Sequence, residues 1–274
     1  MEKRNILGID IYDTNRKDLV NYLNTVINNN AKKTIFGISA AAYGRFKFRP
    51  DLYGIFKRID ILVAEGAGIP LFAKLFGVKI SEKIGMVNLM FDLLNLANTH
   101  SYKVMLFGAT DETNKNASEI IVSNYPKIKI CQGVNGFFNE EDIPQIIDKI
   151  NNESPDILFI GISYPIKERF AVKYRVAINA KLIIPVGGAF EVLVGNIKRP
   201  KKDTKRIPIA WLYRLMQEPK RMFKPIFVTI AYSVFIMFPI MWFKHITRIE
   251  RNPSIGKFFG LTGNEWNPET DSIK

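Results

Sequence analysis

Six short apolar runs of this chain carry a glycine at or near the carboxyl end: Gly37, Gly66, Gly108, Gly136, Gly161 and the pair Gly187 and Gly188. A glycine there lets backbone amides approach a phosphate or a ring, and the set together favours a nucleotide-like ligand over ordinary turns. None of the runs contains GxGxxG or GxxxxGK(S/T), so neither a dinucleotide fingerprint nor a P-loop is supported. Glu65 and Glu191 stand beside these glycines as carboxylates. A second concentration of chemistry is cationic. Lys198, Arg199, Lys201, Lys202, Lys205, Arg206, Arg214, Lys220, Arg221 and Lys224 face only Asp203 and Glu218, ten positive charges against two, a net of +8. Such a segment selects an anionic partner. His100 and His245 are too few and too scattered for a metal site or a catalytic triad. The single cysteine, Cys131, excludes an internal disulfide framework and reads as a small buried side chain.

The elements that must position these residues follow from the pattern. The chain has 274 residues, 47% hydrophobic and 24% charged, with a net charge of +13, which excludes a disordered or low-complexity chain. Runs at 34–39, 59–66, 102–109, 128–138, 155–165 and 180–190 are rich in Ile, Val, Leu and Phe with little alternation, as strands covered on both faces read. Helices are expected over about 14–29, 40–57, 67–76, 87–99, 112–124, 140–152 and 167–179, with acidic residues at starts such as Asp111 and Glu140 to Asp142. The expected fold is α/β, a Rossmann-like, mainly parallel sheet flanked by helices. Three regions follow: an α/β core over 1–195, a basic and apolar membrane-associating appendage over 196–248, and a loosely held polar tail over 249–274. Within the appendage, Pro225 to Phe243 holds nineteen residues without a charge, about 28 Å as a helix. Whether it spans a bilayer or lies in it is open, because Pro225 and Pro239 interrupt it. No apolar stretch of signal-peptide length precedes Asp10 and Asp13, so export is not expected.

The blocks VGGAFEVLVGNIKRP (186–200) and WLYRLMQEPKR (211–221), with LVAEGAGIP (62–70), MLFGA (105–109), GFF (136–138) and GISYPIKE (161–168), resemble the WecG/TagA/CpsF family of bacterial glycosyltransferases. The resemblance runs to about residue 225. It implies transfer of an N-acetylmannosamine-type or related sugar from a UDP-sugar to a polyprenyl-diphosphate-linked acceptor, with inversion, in cell-surface polysaccharide synthesis. Departures cluster at the sites such a reaction would use. Glu65 stands in place of the family's usual aspartate, Gly37, Ile38 and Ser39 in place of a Thr-Pro-Asn-like turn, and Lys83 where arginine is common. The family's P-K-Q-E reads Pro165, Ile166, Lys167, Glu168, and the acidic residue after the paired glycines is Glu191 rather than aspartate.

Such a transfer needs a base for the acceptor hydroxyl, stabilisation of the charge developing on the diphosphate, and a pocket holding both substrates in line. The resemblance assigns Glu65 as the base, or as a carboxylate holding a sugar or ribose hydroxyl, and Arg214 and Arg221 as the cations facing the diphosphate. Gly108, Gly136, Gly187 and Gly188 would admit uridine and diphosphate, with Phe137 beside them and Glu191 accepting from ribose hydroxyls. Ser39, Lys83 and Lys167 complete the expected substrate contacts. The chain has no D-x-D, so no metal and no cofactor are expected. The expected partners are the UDP-sugar, the lipid-linked acceptor and an anionic membrane surface on the cytoplasmic side, bound peripherally or monotopically. A homo-oligomer is left open. Nucleic acid is not expected, because +8 in a proline-broken segment abutting an apolar run suits phospholipid better than a duplex. The alternative is a family member that binds nucleotide-sugar or lipid carrier without turnover.

Overall fold

The computed structural model describes residues 1–46, 48–197 and 259–274, together with Met216, Pro219, Phe223, Phe227, Ala231 and Trp242. The chain begins with a hairpin that the sequence pattern does not announce, β1 (Glu2–Ile6) and β2 (Ile9–Asp13), turned by Leu7 and Gly8 at φ 53° and 87°. Positive φ at both turn residues matches the right-handed twist of the strands. There follow α1 (Arg16–Asn28), β3 (Lys33–Ile38), α2 (Ala40–Phe46), α3 (Pro50–Lys57), β4 (Ile61–Ala64), α4 (Gly68–Leu75), α5 (Met86–His100) and β5 (Lys103–Gly108). Then come α6 (Asp111–Asn124), β6 (Lys129–Ile130), α7 (Ile143–Glu153), β7 (Ile157–Gly161), α8 (Ile166–Lys173), β8 (Leu182–Pro185) and α9 (Ala189–Leu193).

The last six strands form one parallel sheet in the order β4-β3-β8-β7-β5-β6. Successive side chains of a strand point to opposite faces, and both faces here are covered. Phe36, Ile38, Leu62, Met105, Phe107, Leu158 and Ile183 pack with α2, α3, α7, α8 and the hairpin. Ile35, Ile61, Val63, Val104, Leu106, Phe159 and Ile184 pack with α1, α5, α6 and α9. The apolar runs are therefore continuous because each of their alternating halves has its own helical layer.

Three expected elements differ. The helix expected over 40–57 is two helices, because Pro50 opens α3 and drives Arg49 out of helical geometry, to φ −138° and ψ 72°. The run 128–138 contributes only Lys129–Ile130 to the ladder, plus an isolated bridge from Val134 to Phe107. Asn114, buried on α6, takes the place of the ladder: its side-chain amide donates to the carbonyls of Leu106, Gly108 and Val134, each at 3.1 Å. The helix expected over 167–179 stops at Lys173.

The end of the chain is also firmer than its composition suggests. Trp266 is 2% exposed and Ile273 1%, both within the core layer of α3 and α8. Arg58 donates to the Gly263 carbonyl at 2.8 Å, Lys173 to that of Asp271 at 2.6 Å and Arg169 to that of Lys274 at 2.9 Å. Residues 259–274 are thus a clasp rather than a loose tail, because one tryptophan buries enough apolar area to order a polar segment. Arg214, Arg221 and most of 225–243 lie outside the described residues. Among the described residues no helix is long and apolar enough to cross a membrane.

Candidate active site

A cleft of about 690 Å³ opens at the carboxyl ends of β3, β4, β7 and β8. Open parallel sheets bind ligands at this end, where helices begin and backbone amides are unpaired. Glu65 follows β4 directly. Its amide donates to the Ile38 carbonyl at 2.9 Å, and its Oε1 accepts from the Met86 amide at 3.4 Å at the start of α5. Its side chain lies against Gly37, where a Cβ would come within 2.7 Å of Oε2 and 2.8 Å of the Glu65 Cβ. The glycine at position 37 is thus the space that a glutamate at position 65 occupies. Ser39 lines the cleft next to it, and its carbonyl accepts from the Ala42 amide at 2.9 Å as α2 begins.

Lys167 enters from the first turn of α8 and forms an ion pair with Glu168, both largely withdrawn from solvent. Burial pulls the Lys167 ammonium down to about 8, partly offset by the negative charge of Glu65 and reinforced by the positive charge of Arg45. Glu168 keeps Oε2 buried with no hydrogen-bond partner. Gly187, at φ 55°, and Gly188, the N-cap of α9, line the floor of the cleft. On the first turn of α9, Glu191 accepts from Asn196 Nδ2 at 2.7 Å and from Thr113 Oγ1 at 3.4 Å, which holds its carboxylate at the cleft edge.

The structure therefore brings together Glu65, Ser39, Lys167, Gly187, Gly188 and Glu191. Lys83, Phe137, Gly108 and Gly136 are not in the lining, and Arg214 and Arg221 lie outside the described residues. Lys83 precedes Ile84, whose amide donates to the Ala64 carbonyl at 2.8 Å, but is not itself among the lining residues. Phe137 is 74% exposed and also outside the lining. Gly108 and Gly136 pack on one another and on β7: a Cβ on Gly108 would meet the Gly161 carbonyl carbon at 2.5 Å, and one on Gly136 would meet the Ala109 nitrogen at 2.7 Å. Arg45 and Tyr164, which sequence reasoning passed over, line the cleft. Arg45 sits in an expected helix with no motif around it, whereas Tyr164 lies inside the GISYPIKE block and could have been found there.

A parallel α/β sheet covered on both faces, with carboxylates and a buried lysine gathered over glycine turns at its strand ends, defines the class of fold and site. The sequence profile of the Glycosyl transferase WecG/TagA/CpsF family matches residues 4–246, and the chain belongs to that family. It is similar to three proteins named N-acetylglucosaminyldiphosphoundecaprenol N-acetyl-beta-D-mannosaminyltransferase. The one from Bacillus spizizenii is 26% identical over 222 residues, covering 81% of this chain and 86% of the relative. The one from Bacillus subtilis is 28% identical over 180 residues, 66% and 69% of the two chains. The one from Staphylococcus aureus is 26% identical over 221 residues, 80% and 86%. The family match makes the chain a glycosyltransferase.

Proposed function

We propose that this glycosyltransferase moves an N-acetylmannosamine-type or related sugar from UDP to a polyprenyl-diphosphate-linked acceptor, with inversion, in the synthesis of a cell-surface polymer. The observation that carries the reading is the Glu65 carboxylate, set in the strand-end cleft of a family member whose relatives are named for that transfer. Glu65 takes the proton of the acceptor hydroxyl as that oxygen bonds to the anomeric carbon. The bond from that carbon to the UDP oxygen breaks with its electron pair, and UDP leaves. Glu191 accepts from ribose hydroxyls, Gly187 and Gly188 admit the diphosphate, and Ser39 and Lys167 hold the sugar. Arg214 and Arg221, in the basic appendage, neutralise the leaving diphosphate. The appendage also brings the enzyme to an anionic membrane face. Its +8 segment and the exposed apolar side chains of Met216, Phe223, Phe227 and Trp242 support that placement.

The test is incubation of the full chain with a panel of UDP-sugars and polyprenyl-diphosphate acceptors, with and without a chelator. Sugar transfer that survives chelation is expected; no release or transfer from any donor rejects the reading. The changes at positions 37, 39, 65 and 167 favour a second reading, a binder of nucleotide-sugar without turnover. Turnover that disappears on Glu65→Ala removes it.

A further inference from the structure

The cleft joins the two helical layers of the sheet. Glu191 and the glycines of the β8–α9 turn lie on the layer of α6 and α9, whereas Arg45, Tyr164, Lys167 and Glu168 lie on the layer of α2 and α8. An inverting displacement requires the attacking oxygen to approach the anomeric carbon opposite the leaving group. With UDP on the Glu191 side, the acceptor must therefore enter from the Arg45 side.

Among the described residues lining that side, Arg45 is the cation that no carboxylate pairs with. Lys167 is paired with Glu168 and faces Glu65. Arg45 makes no ion pair with a described residue; its guanidinium instead lies over the Tyr164 ring, 4.6 Å from the centroid. From α2 the cleft is lined by Ala41, Ala42 and Arg45, so Arg45, in the last turn, is the polar side chain the helix presents to it. Packing on the ring positions the guanidinium, whose N–H groups suit a planar, multidentate acceptor. The Tyr164 hydroxyl, buried in the same wall beside the guanidinium, keeps its own O–H as one more donor. A positioned cation and a neighbouring hydroxyl donor in the wall of the cleft are what an anionic group requires for recognition.

We propose that Arg45, with Tyr164 behind it, binds the diphosphate of the lipid-linked acceptor and so sets the acceptor hydroxyl against Glu65. This rests on the acceptor class proposed above. Arg45 is a binding residue of the acceptor half of the cleft, separate from the nucleotide half built around Glu191.

The experiment compares the full-length wild type with Arg45→Gln, Arg45→Lys and Tyr164→Phe. Calorimetry measures UDP, and, in the presence of UDP, an N-acetylglucosaminyl-diphosphate on a short prenyl chain and a neutral N-acetylglucosaminide of the same chain length. Arg45→Gln is expected to weaken the diphosphate acceptor about ten-fold or more, with recovery in Arg45→Lys and a smaller loss in Tyr164→Phe. UDP affinity and the neutral acceptor are expected to change less than about two-fold. Equal weakening of UDP would place Arg45 on the donor and overturn the proposal, as would an equal loss for the neutral acceptor or no loss for either. Thermal melting of each variant separates loss of folding from loss of binding, and Arg45→Met, which keeps the stem without the charge, serves if Arg45→Gln does not fold. Wild-type transfer is measured alongside: its absence rejects the proposed function, whereas the binding comparison needs no turnover.

Discussion

Glu65 and Lys167 occupy one cleft, so the protonation of each bears on the other. If Glu65 acts on the acceptor proton in the transition state, Glu65→Gln lowers turnover by about 10²-fold or more while UDP affinity changes little. Steady-state rates set against calorimetric UDP affinity decide this; equal losses in both leave Glu65 a binding group only. Lys167 has its ammonium brought down to about 8 by burial. It is charged below that pH and neutral above it, so a reaction needing its charge should slow as pH rises through about 8. Lys167→Gln should flatten that limb of the pH–rate profile. The sign for stability is opposite. Between about 8 and the ordinary 10.5 the unfolded chain holds the proton that the folded chain has lost, so this group's contribution rises with pH across that window.

The ends of β4 and β5 show why glycines that look alike in sequence do different work. Gly66 sits at φ 74° with open space around it, so Gly66→Ala meets only the left-handed backbone penalty, about 1–2 kcal/mol. Gly108 combines φ 137° with the Gly161 backbone at 2.5–2.6 Å from any Cβ. Gly108→Ala must part β5 from β7 and is expected to cost at least about 3 kcal/mol, the upper end for overpacking. Urea melts of the two variants give the comparison. Because Asn114 ties both β5 and the Val134 turn to α6, the Gly108 variant should also loosen the wall that carries Ala109 into the cleft.

The clasp of residues 259–274 lies beyond the part matched by the family profile, which ends at residue 246, yet it closes the α3–α8 face of the core. Trp266→Ala is expected to destabilise the protein by about 3–5 kcal/mol, the range for emptying a buried aromatic site. Cutting the chain after Asn196 therefore removes more than the basic appendage: it also uncovers the surface that Trp266 and Ile273 fill. A better-behaved variant replaces 198–258 with a flexible linker and keeps the clasp. It should melt higher than the truncated chain and still lose transfer, because Arg214 and Arg221 are gone. Calorimetric melting and a transfer assay on both variants check this, and full transfer by the linker variant would remove the arginine assignment.

The layered parallel sheet was readable because burial on two faces demands long apolar runs, and that demand is local to each strand. Glu65, Ser39, Lys167 and Glu191 were reached through the family blocks that contain or align with them, and all four line one cleft. Arg45 was not readable, because a cation in a helix has the same sequence signature whether it meets solvent or a ligand. Nor was the split between Gly187, which lines the cleft, and Gly108, which locks two strands together. Both need a position without a Cβ, and only the tertiary structure says whether the missing atom would have met a substrate or a neighbouring backbone. The clasp was hidden by composition, since twelve of its sixteen residues are polar, glycine or proline and outweigh Trp266 in any average over sequence. Its order comes from apolar area buried against helices more than 80 residues earlier in the chain, a contact that no local pattern encodes.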